Sequence, residues 1–280
     1  MHPFELLDYG AGRRLDRIGP WLVDRPAPYA RGAPVQTELW PPAHAVYTGT
    51  HMSRGNWQIK TSDLPVSLTA QLATSFPLFA ELQFSASGQL GIFGEHQKSW
   101  ELVHKRCDPP LQILNLFGYT GLATAAALLA GHSVCHVDAG RSVVQWARRN
   151  AALNQCDQTN VRWIVDDALE FCKREVHRQQ RYDGFIVDPP AFGRFKKHTW
   201  QIKRDLPRLL AWLGELARPK LRFLVLSHHS LELKQTTVQH WLQDAFGAAL
   251  TRQFQYAELQ EESKYRPPLA TGKGWFLCGQ

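Results

Sequence analysis

The chain has 280 residues, 44% of them hydrophobic and 20% charged, which suits one large domain with a smaller companion and excludes a chain dominated by disorder. Lys and Arg number 32 against 25 Asp and Glu, a formal charge of +7; the field favours an anionic partner such as nucleic acid, although an ordinary basic cytosolic protein carries the same excess. No stretch approaches the ~20 apolar residues of a membrane span.

The N-terminal MHPFELLDYGAGRRLDRIG lacks the uninterrupted apolar run of a signal peptide, so the protein is expected to be cytoplasmic and free of membrane. The first hundred residues are rich in Gly, Pro and Trp, with short apolar patches at Trp21-Leu22-Val23, Ala45-Val46-Tyr47 and Trp57-Gln58-Ile59. Turn residues break these patches, which predicts a small, mostly β accessory domain over residues 1–107. The loop between Cys107 and Pro110 is the expected junction with a second domain, 108–280. Five cysteines, Cys107, Cys135, Cys156, Cys172 and Cys278, are odd in number and show no close paired spacing. They read as reduced thiols, with neither a zinc site nor a disulfide framework expected.

From Leu111 the texture changes. LQILNLF, TGLATAAALLAG, SVCHVD, SVVQWARRNAALNQ and VRWIVDD read as strand, helix, strand, helix, strand, the pattern of parallel βαβ units. The alternation continues with a helix over ALEFCKREVHRQ, a strand at YDGFIVD, a helix from Thr199 to Pro219 that contains Pro207, and a strand at LRFLVLSHH. A helix over Thr236 to Phe246 and two last strands, TRQFQYAEL and GWFLCGQ, complete a predicted doubly wound sheet of seven strands with helices on both faces.

Ligands of such a sheet bind outside the carboxyl ends of the strands, so the residues after each apolar run are the candidates. After the first comes Asn115-Leu116-Phe117-Gly118-Tyr119-Thr120-Gly121, whose glycines let backbone approach a ligand at the start of the next helix. A strand-to-helix turn that binds nothing explains the same residues. Asp138 ends the second run twenty positions beyond Gly118, where a carboxylate accepts from both hydroxyls of a ribose; it also suits a helix cap. Asp167, in Val165-Asp166-Asp167-Ala168, is placed to accept from an adenine amino group, or to cap its helix.

The fourth run ends in DPPAF, Asp188 to Phe192. Two prolines fix the backbone, so the Asp188 carboxylate and the Pro189 carbonyl converge as acceptors with little freedom to lose, and Phe192 is free to stack on a planar ring. A planar amine is the natural guest; a rigid turn with a buried aromatic is the bland alternative. Arg194, Lys196, Lys197 and His198 follow, either at the mouth of the same cleft, where phosphates pass, or as a solvated loop.

These residues carry a resemblance. Leu111 to Gln280 resembles the class I S-adenosylmethionine-dependent methyltransferases, and NLFGYTG, HVDAG, VDDALEF and FIVDPPAFGR resemble four successive motifs of the bacterial large-subunit rRNA methyltransferase group. GRRLDRIGPWLVDRPAP and GIFGEHQKSW resemble its N-terminal segments, although Gly94-Glu95-His96 stands where relatives carry a proline before the acid. The resemblance implies a Rossmann-like seven-stranded sheet with S-adenosylmethionine as cofactor, and no metal. It places the cofactor on Asn115, Phe117, Gly118, Tyr119, Thr120, Gly121, Asp138, Ala139, Asp167, Ala168 and Asp188. Asp188, Pro189, Pro190 and Phe192 become the catalytic set, and Arg194, Lys196 and Lys197 the substrate contacts.

Carbon-5 methylation of a pyrimidine needs a cysteine nucleophile, and in the group that cysteine follows the fifth strand. This chain reads Leu226-Ser227-His228-His229-Ser230 there. The acid-Pro-Pro-aromatic pattern suits an exocyclic nitrogen instead, with the amino group of guanine in rRNA foremost, and His228 and His229 either line its pocket or finish the strand. A protein or small-molecule N-methyltransferase keeps the same cofactor. A nicotinamide-dependent oxidoreductase also places an acid about twenty residues after a glycine turn, but the turn lacks G-x-G-x-x-G, and a non-catalytic RNA-binding module leaves the strand-end acids without a purpose.

Overall fold

The computed structural model describes residues 2–50, 55–105, 110–195, 198–219, 221–230 and 232–278. Contacts gather them into two compact units, 1–98 with 260–271 and 99–259 with 272–280. The expected junction at 107/108 lies beyond the first break between the units, at 98/99, and Cys107, Asp108 and Pro109 lie outside the described residues.

The first unit is a single sheet of β1 (His2–Gly10), β2 (Arg13–Ile18), β3 (Trp21–Pro26), β4 (Ala45–Tyr47), β5 (Trp57–Ile59), β6 (Ser67–Gln71) and β7 (Phe79–Gln83), in the order β5-β4-β3-β2-β1-β6-β7. Two tight hairpins build its centre. Gly10 pairs with Arg13 across Ala11 (φ 50°) and Gly12 (φ 76°), and Ile18 pairs with Trp21 across a turn opened by Gly19 (φ 60°). Positive φ at both central residues, or at the first, matches the right-handed twist of the strands. Between the strands lies a buried charge network. Asp16, fully buried, accepts from Arg14 Nε at 2.9 Å and Arg25 Nε at 2.6 Å, and Arg14 also reaches both oxygens of Glu261 at 2.6 and 2.7 Å. Glu261 thereby fastens the late segment 260–271 into a unit otherwise made of the first 98 residues.

The second unit contains, in chain order, α1 (Gln97–Val103, which begins within the first unit's range), β8 (Gln112–Leu116), α2 (Leu122–Leu129), β9 (Ser133–Asp138), α3 (Arg141–Leu153), β10 (Val161–Val165), α4 (Ala168–His177), β11 (Gly184–Val187), β12 (Phe192–Phe195), β13 (His198–Gln201), α5 (Ile202–Leu216), β14 (Phe223–His228), α6 (Gln235–Phe246), α7 (Ala248–Thr251), and most of β15 (Gln255–Glu261, whose last two residues fall in the first unit's range) and β16 (Leu269–Cys278, whose first three do). The sheet runs β10-β9-β8-β11-β14-β16-β15; its first five strands are parallel, and β16 lies antiparallel to β14. β11 and β14 are buried along their whole length, as expected of strands covered on both faces. Leu114, Leu116, Val187 and Leu226 share one core with Leu169 of α4, Leu206 and Leu209 of α5 and Val238 of α6. α2 and α3 cover the other face, where Gly121 meets Ala147 and Thr124 meets His136. The order of strands reverses between β8 and β11, which is the switch point of the sheet.

The expected seven strands are present, with two local differences. A hairpin of β12 and β13 pairs Phe192 with Gln201 and Arg194 with Thr199, so α5 starts at Ile202 rather than Thr199, and Pro207 sits inside it. The last two strands also begin later and earlier than expected, at Gln255 and Leu269. No described helix is long and apolar enough to cross a membrane.

Candidate active site at the carboxyl edge of the sheet

The loop after β8 is a strained cradle. Phe117 (φ 56°), Tyr119 (φ 48°) and Gly121 (φ 77°) all take positive φ, a region that non-glycine residues occupy at a cost and chiefly where a site requires it. Gly118 N–H donates to the Val137 carbonyl at 3.0 Å, and Gly121 N–H to the Gly118 carbonyl at 2.9 Å. α3 ties the loop from behind, because Asn150 Nδ2 donates to the Thr120 carbonyl at 2.8 Å. Asn115 points away from the cradle: its side chain is buried and donates to Thr124 Oγ1 at 2.8 Å.

Asp138 closes the cradle from β9. One carboxylate oxygen accepts from Tyr119 N–H at 3.0 Å and the other from Gly140 N–H at 2.8 Å, which leaves further acceptor capacity on both. Burial raises its proton affinity above the ordinary carboxylate value, against the pull of those two N–H groups. Ala139 follows it, partly exposed. On β10's end, Asp166 N–H donates to the Asp138 carbonyl at 3.0 Å and the Asp166 carboxylate pairs with Arg174. Asp167 caps α4, accepting from Leu169 N–H at 2.9 Å and Glu170 N–H at 3.1 Å, with Ala168 buried beside it.

Asp188 stands after β11, where Ser227 Oγ donates to its Oδ1 at 2.6 Å and His229 Nε2 lies 3.6 Å from the same oxygen. Pro189 is buried and Pro190 exposed; the Pro190 carbonyl accepts from Trp200 Nε1 at 2.7 Å. Trp200 also packs edge-on against Phe117, ring centroids 4.9 Å apart, so a single indole joins DPPAF to the β8 loop. Phe192 is 55% exposed, with the Arg194 guanidinium 5.8 Å from its centroid. Lys196 and Lys197 lie outside the described residues. His228 finishes its strand: burial pushes its ring down to about 4, its Nδ1 accepts from Ser230 N–H at 3.2 Å, and it stacks on Trp275.

Hydrogen bonds and ring packing therefore link the β8 loop to Asp138, Asp138 to the β10 end, and the β8 loop through Trp200 to DPPAF. Sequence reasoning missed Trp200, hidden in a basic stretch assigned to a helix, and Ser227, noticed only for not being a cysteine. A cavity of about 320 Å³ opens at the opposite edge of the sheet, lined by Gln112, Cys135, Arg162 and Tyr182 among others; none of the candidate residues borders it.

Comparison with known proteins fits this geometry. Residues 80–230, more than half of the chain, match a family model described as S-adenosylmethionine-dependent methyltransferase. The chain is 32% identical over 145 residues to the ribosomal RNA large subunit methyltransferase K/L of Shewanella frigidimarina (strain NCIMB 400), a stretch covering 50% of this chain and 20% of that protein. It thus spans about a fifth of the length of the curated relatives it matches. The crystal structure of the SAM dependent methyltransferase from Agrobacterium tumefaciens superposes with a TM-score of 0.89 at 30% identity, covering 100% of this chain and 91% of that one. The structure of SMU.776 complexed with SAH shares the fold, with a TM-score of 0.74 at 16% identity over 95% of this chain and 71% of that one.

Proposed function

Since the chain belongs to the S-adenosylmethionine-dependent methyltransferases, we propose that it methylates an exocyclic amine of a base in ribosomal RNA, in the cytoplasm. The observation that carries this reading is Asp188, held by Ser227 at the switch-point edge with Phe192 exposed four residues on.

The residues present fit the cofactor. Asp138 keeps an acceptor on each oxygen for two ribose hydroxyls, and the positive-φ loop at 117–121 brings backbone, not bulk, to the edge of the site. Asp138 with Ala139 would hold the ribose, Phe117 to Gly121 the methionine part, and Asp167 with Ala168 the adenine end, Asp167 doing so while it caps α4. Asn115 would act from beneath the loop, because its amide is committed to Thr124. Bound there, the cofactor supplies a methyl group on a positively charged sulfonium.

Asp188 and the Pro189 carbonyl would accept from the two hydrogens of the amine and so localise its lone pair. Pro189 and Pro190 fix the backbone that aims these acceptors, so little ordering remains when the substrate arrives. Phe192 would stack on the base once it leaves its helix. Nitrogen rather than ring carbon is favoured because residues 226–230 contain no thiol to add to the ring. The similarity to ribosomal RNA large subunit methyltransferases supports ribosomal RNA as the acceptor. Charge supports it too: residues 1–98 with 260–271 carry ten Lys or Arg against ten Asp or Glu, so the whole excess of seven belongs to the unit that holds the site. Arg194, Lys196 and Lys197 would meet phosphates, and the first unit would serve substrate recognition.

Asp188→Ala tests the reading. Transfer of labelled methyl groups to rRNA from cells lacking the gene should drop by at least about a hundredfold, while affinity for S-adenosylhomocysteine stays within about tenfold of wild type. Undiminished turnover would refute the assignment.

A further inference from the structure

Beneath the β8 loop lies a polar chain that the reaction itself does not use. Asn115 Nδ2 donates to Thr124 Oγ1 at 2.8 Å, and Thr124 Oγ1 lies 2.9 Å from His136 Nδ1. An amide nitrogen only donates, so the threonine oxygen receives there, and its remaining lone pair and proton let it pair with His136 Nδ1 in either tautomer of the ring. Burial keeps that ring neutral, holding it at about 3, far below its ordinary value. All three side chains are 2% exposed or less.

The ring also sets the loop from below. A Cβ on Gly118 would stand 2.4 Å from His136 Cε1 and 2.6 Å from Nδ1, so the Gly118 backbone rests directly on the imidazole, and the Trp163 ring closes the other side at 4.9 Å. Among the described residues His136 Nε2 has no hydrogen-bond partner. A buried polar atom left unmet is unfavourable, and a phenyl ring of similar size would avoid it. That cost is offset only if Nδ1 does something an apolar ring cannot.

We propose that His136 is a positioning residue for S-adenosylmethionine, holding the 117–121 loop in its binding shape through ring contact with Gly118 and through the hydrogen-bonded chain to Thr124 and Asn115. The inference rests on the loop being the cofactor cradle, and is independent of which acceptor is methylated. It touches no reacting atom. Its effect is on the conformation that Gly118, Tyr119 and Gly121 must already have when the cofactor arrives, and pre-organisation of this kind is read as affinity.

Two pairs of variants separate positioning from packing. His136→Phe keeps the ring and deletes Nδ1, whereas His136→Asn keeps an acceptor at the same branch point and deletes the ring. Thr124→Val removes the hydroxyl at constant shape, and Thr124→Ser restores it. Each full-length protein is assayed for S-adenosylhomocysteine affinity by calorimetry, for ligand-free amide exchange of residues 117–121, and for melting temperature. His136→Phe and Thr124→Val should bind about tenfold more weakly or worse, with loop amides exchanging about tenfold faster and melting little changed. Thr124→Ser should stay within about threefold of wild type, and His136→Asn should lose melting temperature more than affinity. Wild-type affinity and wild-type exchange in both His136→Phe and Thr124→Val would overturn the proposal. A wild-type protein that binds no S-adenosylhomocysteine would sink the cofactor assignment and this inference's ligand with it, and the exchange rates would then decide only whether His136 shapes the loop.

Discussion

On the proposed assignment, Asp138 would serve binding at the expense of folding. Burial raises its pKa above the ordinary aspartate value of 3.8, with the Gly140 and Tyr119 N–H groups pulling the other way. A carboxyl whose folded pKa is raised contributes stability that is present below the unfolded value and is lost as pH rises through the folded one. Near neutrality, then, the ionised group weighs against the fold. Ribose hydroxyls are donors and need the ionised form, so ligand affinity has the opposite sign. Affinity for S-adenosylhomocysteine should be level near neutrality and fall on acidification, the decline beginning above the pH at which a free aspartate would protonate. Titration calorimetry from about pH 7.5 to about pH 4.5 reads this directly, and Asp138→Asn should bind weakly and without that dependence. The acid was legible in the sequence because strand-final position and spacing from Gly118 specify it. Its partners were not, since Tyr119 reaches it only through a loop turned by positive φ.

At the scale of elements, the strand–helix alternation was readable because covered parallel strands are continuous apolar runs, as in Phe223–His228. The β12–β13 hairpin was not. Its strands, FGRF and HTWQ, mix aromatic, basic and polar residues with no apolar run to mark them, and Trp200 is anchored on the Pro190 carbonyl. The α2 start shows how tightly one junction is specified: Gly121 has φ 77°, and a Cβ there would stand 2.6 Å from Ala147 Cβ on α3. Both strain and overlap oppose any side chain. Gly121→Ala should destabilise the protein by about 1–3 kcal/mol and lower its melting temperature by several degrees, with ligand affinity falling as well. Unchanged melting in a scanning calorimeter would mean that α2 and α3 separate more freely than this packing implies.

Across the whole molecule, charge and chain path divide differently. The basic excess lies wholly in residues 99–259 and 272–280, so salt dependence should report on that unit. Replacing Lys196 and Lys197 together with alanine should flatten the slope of log affinity for RNA against log salt by about two phosphates' worth; filter binding across a salt series measures it, and an unchanged slope leaves both lysines as solvated loop residues. The general division into a β-rich part and an α/β part was legible from texture alone. The return of residues 260–271 to the first unit was not, because the pair that fastens it, Arg14 with Glu261, spans 247 positions. Losing one partner of such a buried pair costs about 3–5 kcal/mol. A chain cut before that glutamate would therefore leave Arg14 with Asp16 alone, and residues 1–98 would be a fragment open to proteases rather than a domain that can be lifted out on its own.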